Sequence, residues 1–198
     1  MRKLLTVLLC AAAFGAPSAF AANLVADGDF AEASLSAWTQ GGDTSLQFVG
    51  FDYSGTPLSN QFNRVFWDGN FDSAGLLGQQ IATHAGYKYT LEFDLLRVDT
   101  SHGVTPAVND SQVLFNGAVV WHQTNTSGDW THYVINNLST DKSSTWLQFS
   151  NRNLYDYTEL DNVSLVMTAV PEPSSALMLS LGLGGLLLAG RAKRRRRG

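Results

Sequence analysis

The alternation of apolar and polar residues in the middle of the chain constrains the fold more than any other sequence feature. It is clearest in the segment 87–95, whose apolar positions are Tyr89, Leu91, Phe93 and Leu95. A period of two is the pattern of a half-buried β-strand, whereas an amphipathic helix repeats every 3.6 residues. The segment therefore predicts a strand with one face directed into a core.

Similar runs follow one another along the chain, at 46–53, 65–67, 76–82, 113–121, 130–136, 145–149 and 160–167. Asn116-Gly117 interrupts the fourth of these runs, and this dipeptide is typical of a type I′ hairpin turn. No stretch between residues 23 and 170 has the pattern of a long helix. About eight strands, separated by Gly, Asn, Asp and Ser, predict an all-β fold, an antiparallel β-sandwich.

The N-terminus has the pattern of a signal peptide. Arg2 and Lys3 precede an apolar run at 4–14, and Ala19 and Ala21 place small residues where a signal peptidase reads them. We expect a signal helix in 1–21, export through the Sec machinery and cleavage after Ala21. The single cysteine of the chain lies in this segment, so the mature protein would have neither a disulfide nor a thiol.

The C-terminus combines a short polar motif, an uncharged apolar segment at 174–190 and a basic end at 191–198. The motif is Val170-Pro171-Glu172-Pro173. As a helix rising ~1.5 Å per residue, the apolar segment spans roughly 25 Å, a little less than the ~30 Å of a bilayer core. We therefore predict a transmembrane helix whose basic end stays in the cytoplasm.

These three parts, in this order, resemble the PEP-CTERM sorting signal of Gram-negative bacteria. The resemblance covers 170–198 and implies processing near Pro171-Glu172-Pro173 by an exosortase. It also implies an exported protein that is first anchored in the inner membrane and then reaches the cell surface or the extracellular matrix of a Gram-negative bacterium. The alternative is a plain single-span anchor that follows a chance Pro-Glu-Pro.

The region between the two ends, 22–169, has the length of one domain and is strongly acidic. From Ala22 to Val170 there are five basic and sixteen acidic residues, a formal charge of −11. Such a charge repels nucleic acid and anionic lipid, which argues against a nucleic-acid partner. It suits a soluble surface protein or one that binds divalent cations.

Several segments of this region resemble galactose-binding-like jelly rolls, a group that includes many carbohydrate-binding modules. The opening is Asn23-Leu-Val-Ala-Asp-Gly-Asp-Phe30 with Leu35-Ser-Ala-Trp38, and the middle and final strands are 75–83, 86–93 and 157–165. The resemblance implies that the first and last strands pair, that Phe30 and Trp38 fill the core, and that Gly86 makes a tight turn. It also implies sugar binding.

The same resemblance implies a structural calcium ion between the first and last strands. Asp161 stands where these domains carry a last-strand aspartate, and Asp29 and Glu32 are candidate ligands at the other end. Ala31 departs from the pattern, because an acidic residue usually follows the phenylalanine. The alternative is that these acids are solvated loop residues and that no cofactor is required.

The tryptophans and tyrosines suggest where a sugar could stack. Trp67, Trp121, Tyr155 and Tyr157 lie at strand ends or in a polar loop, and we take them as candidates for an exposed carbohydrate-binding platform. The remaining tryptophans lie within or beside strand patterns, and we predict that they belong to the core: Trp38, Trp130 and Trp146.

Sequence motifs for catalysis are missing. The four histidines have no helical pair or cysteine partner, and the chain has neither a nucleophile elbow nor a phosphate-binding glycine loop. The leading hypothesis is a non-enzymatic exported protein of the envelope or matrix. The alternative is a carbohydrate-binding protein that adheres to exopolysaccharide, and the third hypothesis is a small glycoside hydrolase.

Overall fold

The structure is a computed structural model, and it describes residues 22–53, 60–70, 73–97, 109–126, 128–154, 156–169 and 182. The predicted signal helix with Ala19 and Ala21 lies outside the described residues. So do Tyr155, the motif at 170–173 and, apart from Gly182, the predicted membrane span at 174–190. Within the described part of the chain, no helix has the length and hydropathy that crossing a membrane requires.

The described residues form ten strands: β1 (Thr39–Gly42), β2 (Leu46–Phe51), β3 (Arg64–Gly69), β4 (Gly75–Ala82), β5 (Tyr87–Arg97), β6 (Asn109–Phe115), β7 (Ala118–Thr124), β8 (Gly128–Leu138), β9 (Ser144–Asn153) and β10 (Tyr157–Ala169). They make two five-stranded sheets, in the orders β1-β4-β9-β6-β7 and β2-β3-β10-β5-β8. We call them the β9 sheet and the β10 sheet after their central strands.

The predicted all-β antiparallel sandwich is confirmed. The strand pairings of both sheets are antiparallel, and the described residues between 22 and 169 contain no helix. The predicted hairpin joins β6 to β7, with positive φ angles of 55° at Asn116 and 79° at Gly117. Positive φ at both central residues is what a type I′ turn requires.

The core lies between the inner faces of the two sheets and is rich in aromatic rings. Phe30 and Trp38 are both buried and stack with their ring centroids 5.5 Å apart. Trp38 meets Phe149 of the β9 sheet, and Phe149 in turn meets Phe93 of the β10 sheet at 5.4 Å. The predicted core positions of Phe30 and Trp38 are therefore confirmed.

The N-terminal segment closes one side of the sandwich by pairing with the last strand. Asn23 forms a bridge with Val166, and the amide of Leu24 donates to the carbonyl of Leu165 at 2.8 Å. The side chain of Gln79 on β4 fixes the same segment, because its amide group bonds both backbone groups of Ala26 and the carbonyl of Ala37. One buried amide thus joins the N-terminal segment to the β9 sheet.

The sequence pattern did not predict strand β1. Its sequence, Thr-Gln-Gly-Gly, has no apolar alternation, and glycine disfavours strands because of its backbone entropy. It becomes a strand because it pairs with residues 75–78 of β4. Only this tertiary pairing makes the segment extended.

We expect Gln79→Leu to lower the free energy of unfolding by about 1–3 kcal/mol, since backbone groups of Ala26 and Ala37 lose their partners. The neighbouring Gln80 is exposed, so Gln80→Leu is a matched control that should change stability by less than about 0.5 kcal/mol. Urea denaturation of both variants measures the difference. Equal stability of the two variants would show that Gln79 does not hold the N-terminal segment.

Candidate functional site

Strand β9 places a tryptophan on the outer surface of its sheet. Thr145 and Leu147 are buried against the core, whereas Trp146 between them is 46% exposed. The prediction that Trp146 belongs to the core is therefore wrong, because successive side chains of a strand point to opposite faces. Trp130 is also outside the core cluster: it is half-buried, and its indole N–H donates to Asp52 at 3.0 Å.

Trp146 stands in a groove of about 580 Å³ that crosses strands β1, β4, β9 and β6. The lining residues are Thr39, Gln40, Gly41, Leu76, Gly78, Leu114, Asn116, Gly117, Lys142, Ser144, Trp146 and Gln148. They combine one large aromatic ring with amide and hydroxyl groups, and a lysine is the one charged residue among them. The groove has the size of a small-molecule site.

The floor of the groove is shaped by Gly78 of β4. A Cβ atom at Gly78 would lie 3.3 Å from two carbons of the Trp146 ring, so the ring covers the glycine backbone. The backbone amide of Asn116 in the β6–β7 turn donates to the carbonyl of Trp146 at 2.9 Å. Strand, turn and glycine together hold the tryptophan in place.

This arrangement suits a sugar ring. One face of a pyranose is made of C–H groups that pack on an aromatic ring, while an amide such as that of Gln148 bonds the hydroxyls. Gln40 does not serve this purpose, because it pairs with Leu77 of the inner face and its side-chain amide donates to the buried Gln47 at 3.2 Å. The sequence signal for Trp146 and Gln148 was present in the alternation of β9, where Thr145, Leu147 and Phe149 face inward.

Two of the predicted platform residues meet on the outer face of the β10 sheet. Trp67 and Tyr157 have their ring centroids 5.2 Å apart, and Phe48, which sequence reasoning missed, lies nearly parallel to Trp67 at 5.8 Å. Gly50 and Gly69 leave the space that these rings fill. We call Phe48, Trp67 and Tyr157 the aromatic cluster. Phe48 is its most exposed member, at 43%.

Trp121 lies apart from this cluster, between the two sheets. It packs against Phe93 and Tyr133, with ring centroids 5.5 and 4.8 Å away. Because β7 and β8 are the edge strands of their sheets, Trp121 sits at the open side of the sandwich. The described candidates therefore occupy two places rather than a single platform.

The proposed calcium ligands do not form a metal-binding group among the described residues. Asp161 is buried and accepts a hydrogen bond from Asn63 at 2.6 Å, and its second oxygen has no donor in the described part of the chain. Burial raises its pKa to about 6. Asp29 and Glu32 are exposed, and the described residues contain no group of three or more His, Cys, Asp or Glu side chains able to hold a metal ion. The structure thus gives no coordination set, and the calcium ion remains a prediction.

A pair of buried acids lies under the outer face of the β10 sheet. Glu159 is fully buried, and no donor among the described residues reaches its carboxyl oxygens. Burial, followed by the negative charges of Asp52 and Asp156, raises its pKa to about 8. Asp52 accepts hydrogen bonds from Trp130 and from the amide of Asn60. We therefore assign a proton to Glu159 at neutral pH.

These acids do not border the groove. A glycosidase needs two carboxyl groups on either side of a bound sugar, but Glu159 is 0% and Asp52 is 2% exposed. The residues that line the groove include no Asp or Glu. Within the described part of the chain, the groove therefore lacks the pair of carboxyl groups that acid–base hydrolysis of a glycoside uses.

The buried acids predict how stability depends on pH. Glu159 keeps its proton in the folded state up to about pH 8 and loses it in the unfolded state near its ordinary pKa of 4.5. The folded state therefore binds more protons between these values, and stability should fall as the pH rises from 5 to 9. Asp68, whose pKa burial raises to about 7, acts in the same direction.

We expect Glu159→Gln to be more stable than the wild type at pH 9, by several degrees in melting temperature, because its neutral amide can donate to Asp52. Some pH dependence should remain through Asp68. Glu92, whose side chain is 42% exposed, supplies the matched control Glu92→Gln, which should keep the wild-type profile. A wild-type melting temperature that rises from pH 5 to pH 9 would contradict the assignment.

Comparison with known proteins supports both the C-terminal sorting motif and the β-sandwich fold. Residues 169–197 match the PEP-CTERM protein-sorting motif, whereas no curated protein matches the chain. A solved structure of TmCBM61, in complex with β-1,4-galactotriose, is similar with a TM-score of 0.54 and 18% identity, over 74% of this chain and 99% of that one.

Two enzymes also contain a similar domain. Tailspike protein 4 of bacteriophage CBA120 has a TM-score of 0.52 at 16% identity, over 74% of this chain and 21% of that one. The CBM22-1–GH10 modules of Clostridium thermocellum endo-1,4-β-D-xylanase 10B have a TM-score of 0.50 at 11% identity, over 70% of this chain and 27% of that one. The chain therefore spans about a quarter or less of these two proteins.

At these identities the similarity establishes the fold alone. The two resemblances found in the sequence, to the sorting signal and to the jelly rolls, are both confirmed. The chain carries a PEP-CTERM sorting motif, which indicates an exported protein, after a β-sandwich domain with the jelly-roll fold of carbohydrate-binding modules.

Proposed function

We propose that this protein is an exported, non-catalytic carbohydrate-binding protein whose domain, residues 22–169, adheres to polysaccharide at the cell surface or in the extracellular matrix. The observation that carries the proposal is the groove of the β9 sheet, in which the exposed ring of Trp146 is surrounded by amides and hydroxyls. The jelly-roll fold supports it, since TmCBM61 with the same fold binds a galactotriose.

The chemistry of the groove favours binding over turnover. Its lining residues supply stacking and hydrogen bonds but no carboxyl pair, and Glu159, whose pKa burial raises, lies elsewhere. An open groove buries only part of a sugar chain and still incurs the cost of ordering it, so affinity for one chain should be weak. Many copies acting on one polymer would then give firm adhesion.

Export is the second part of the proposal. The predicted signal peptide, residues 1–21, would direct the chain into the export pathway. The sorting motif would then direct the exported protein to its processing enzyme. We infer that an exosortase cleaves near Pro171-Glu172-Pro173, after the span 174–190 has held the protein in the inner membrane. Strand β10 ends at Ala169, so the folded domain would be released with almost no spacer.

The test of the binding site is Trp146→Ala, screened against galactan, xylan and acidic exopolysaccharide by affinity electrophoresis. We expect about a tenfold or greater loss of affinity, which is usual when a central tryptophan of a binding site is truncated. Phe62, 83% exposed and absent from the groove lining, provides the matched control Phe62→Ala, which should bind normally.

Other outcomes would identify a different binding surface or a different function. If Trp67→Ala weakens binding and Trp146→Ala does not, the aromatic cluster of the β10 sheet is the binding surface. Release of reducing sugar from any of the three polymers would identify an enzyme. Unchanged binding in both tryptophan variants would reject aromatic stacking on either sheet.

The test of processing is the intact mass of the protein recovered from the cell surface. We expect a species that begins at Ala22 and lacks residues 176–198, because the motif stands directly before the apolar span. Replacing Pro171-Glu172-Pro173 by three alanines should leave the protein in the inner membrane. Recovery of an uncut chain at the cell surface would contradict exosortase processing.

A further inference from the structure

Arg97 is a buried cation for which the described residues offer no anionic partner. It ends strand β5 and is 6% exposed. Its Nη2 donates to the hydroxyl of Tyr133 at 3.1 Å, but its Nε and Nη1 have no acceptor in the described part of the chain. The ion pairs found among the described residues involve His122 and His132, and none includes Arg97.

Such an arrangement is costly unless something compensates for it. A guanidinium carries its charge at every physiological pH, so it cannot escape the cost of burial by losing a proton. Buried charges in proteins are nearly always paired or saturated with hydrogen bonds. An arginine held in this way is therefore prepared for an acceptor that arrives from outside.

The side chains that pack around Arg97 are partly exposed at the side of the sandwich. Trp121, Gln123 and Tyr133 stand between the edge strands β7 and β8, and all three are half-buried. The ring of Trp121 lies 6.0 Å from the guanidinium carbon, and Tyr133 donates its hydroxyl proton to Gln123 at 2.9 Å. We call Arg97, Trp121, Gln123 and Tyr133 the edge site.

We propose that the edge site binds the carboxylate of a uronic acid residue in an acidic polysaccharide. A planar guanidinium presents two parallel N–H donors that match the two oxygens of a carboxylate, and an aromatic wall suits the C–H face of the same sugar. The hydroxyl of Thr158 is a further candidate donor to the carboxylate, since Thr158 is the register partner of Arg97 and its buried hydroxyl has no partner among the described residues.

The edge site is separate from the groove. Trp121 packs against the core between the sheets, whereas Trp146 is exposed on the outer face of the β9 sheet. The proposal therefore does not depend on sugar binding in the groove. It also assigns a role to Trp121, which does not line the groove.

The experiment compares a trimer of galacturonic acid with its fully methyl-esterified form, in which the carboxylates have lost their charge. Titration calorimetry on the purified protein should show binding of the acid, at least tenfold weaker binding of the ester, and loss of acid binding in Arg97→Gln by about tenfold or more. Arg152 is a partly exposed arginine outside the edge site, and Arg152→Gln should bind the acid normally.

Two further variants keep the test decisive if Arg97→Gln fails to fold. Tyr133→Phe removes the hydroxyl that orients the guanidinium and should weaken acid binding severalfold. Trp121→Phe should abolish the change in tryptophan fluorescence that the acid trimer causes. Equal affinity for acid and ester, or wild-type binding in both of these variants, would overturn the edge site. Binding of neutral polysaccharide by Trp146→Ala is measured in the same series. The proposal for the groove and the proposal for the edge site can then be rejected independently of each other.

Discussion

The packing of two sheets through their inner faces is the constraint on which the rest of this structure depends. Each inner face must be apolar, so that Phe93 and Phe149 from opposite sheets can meet in the core. Because strand side chains alternate, every inward residue sends its neighbours outward. Burial of Thr145 and Leu147 is therefore what places Trp146 on the surface. The candidate binding groove is a consequence of how the core is filled.

Glycines decide how the outward aromatic rings lie. Gly78 leaves room for the Trp146 ring on one sheet, and Gly69 leaves room for Tyr157 on the other. A side chain at either glycine would lift the ring away from the sheet, since a Cβ at Gly69 would stand only 2.7 Å from the Tyr157 ring. Glycine weakens a strand, but here it lets the rings of Trp146 and Tyr157 lie close to the strand backbones.

Charge is distributed unevenly between surface and interior. The domain is strongly acidic as a whole, yet the lining of the groove has a lysine and no acid. The buried ionisable groups are of two kinds: carboxyls such as that of Glu159, which burial keeps protonated, and the guanidinium of Arg97, a group that carries its charge at every physiological pH. Glu159 avoids the cost of a buried charge by staying protonated. Arg97 stays charged and therefore needs a hydrogen-bond acceptor, so the two buried groups have different implications for function.

Local pattern was enough to predict the class of fold and the C-terminal sorting motif. Period-two alternation predicted the strands, and Asn116-Gly117 predicted the hairpin, because φ angles and side-chain parity are properties of short segments. Pattern failed at β1, whose Thr-Gln-Gly-Gly is extended only through its partner β4. It also failed at Trp146. The residue type suggested burial, whereas the alternation of side chains along β9 places the ring on the outer face of the sheet.

The candidate sites also divide into what the sequence predicts and what only the tertiary structure decides. Sequence alone determined that the chain is an all-β domain with an export tail, since these follow from composition and order along the chain. Only the tertiary structure brought Trp67 together with Tyr157, Glu159 together with Asp52, and Arg97 together with Trp121. Each pair joins residues that are 24 or more positions apart in the sequence. Their contacts depend on strand order and register, which no local pattern encodes, because register is set by how both inner faces pack at once.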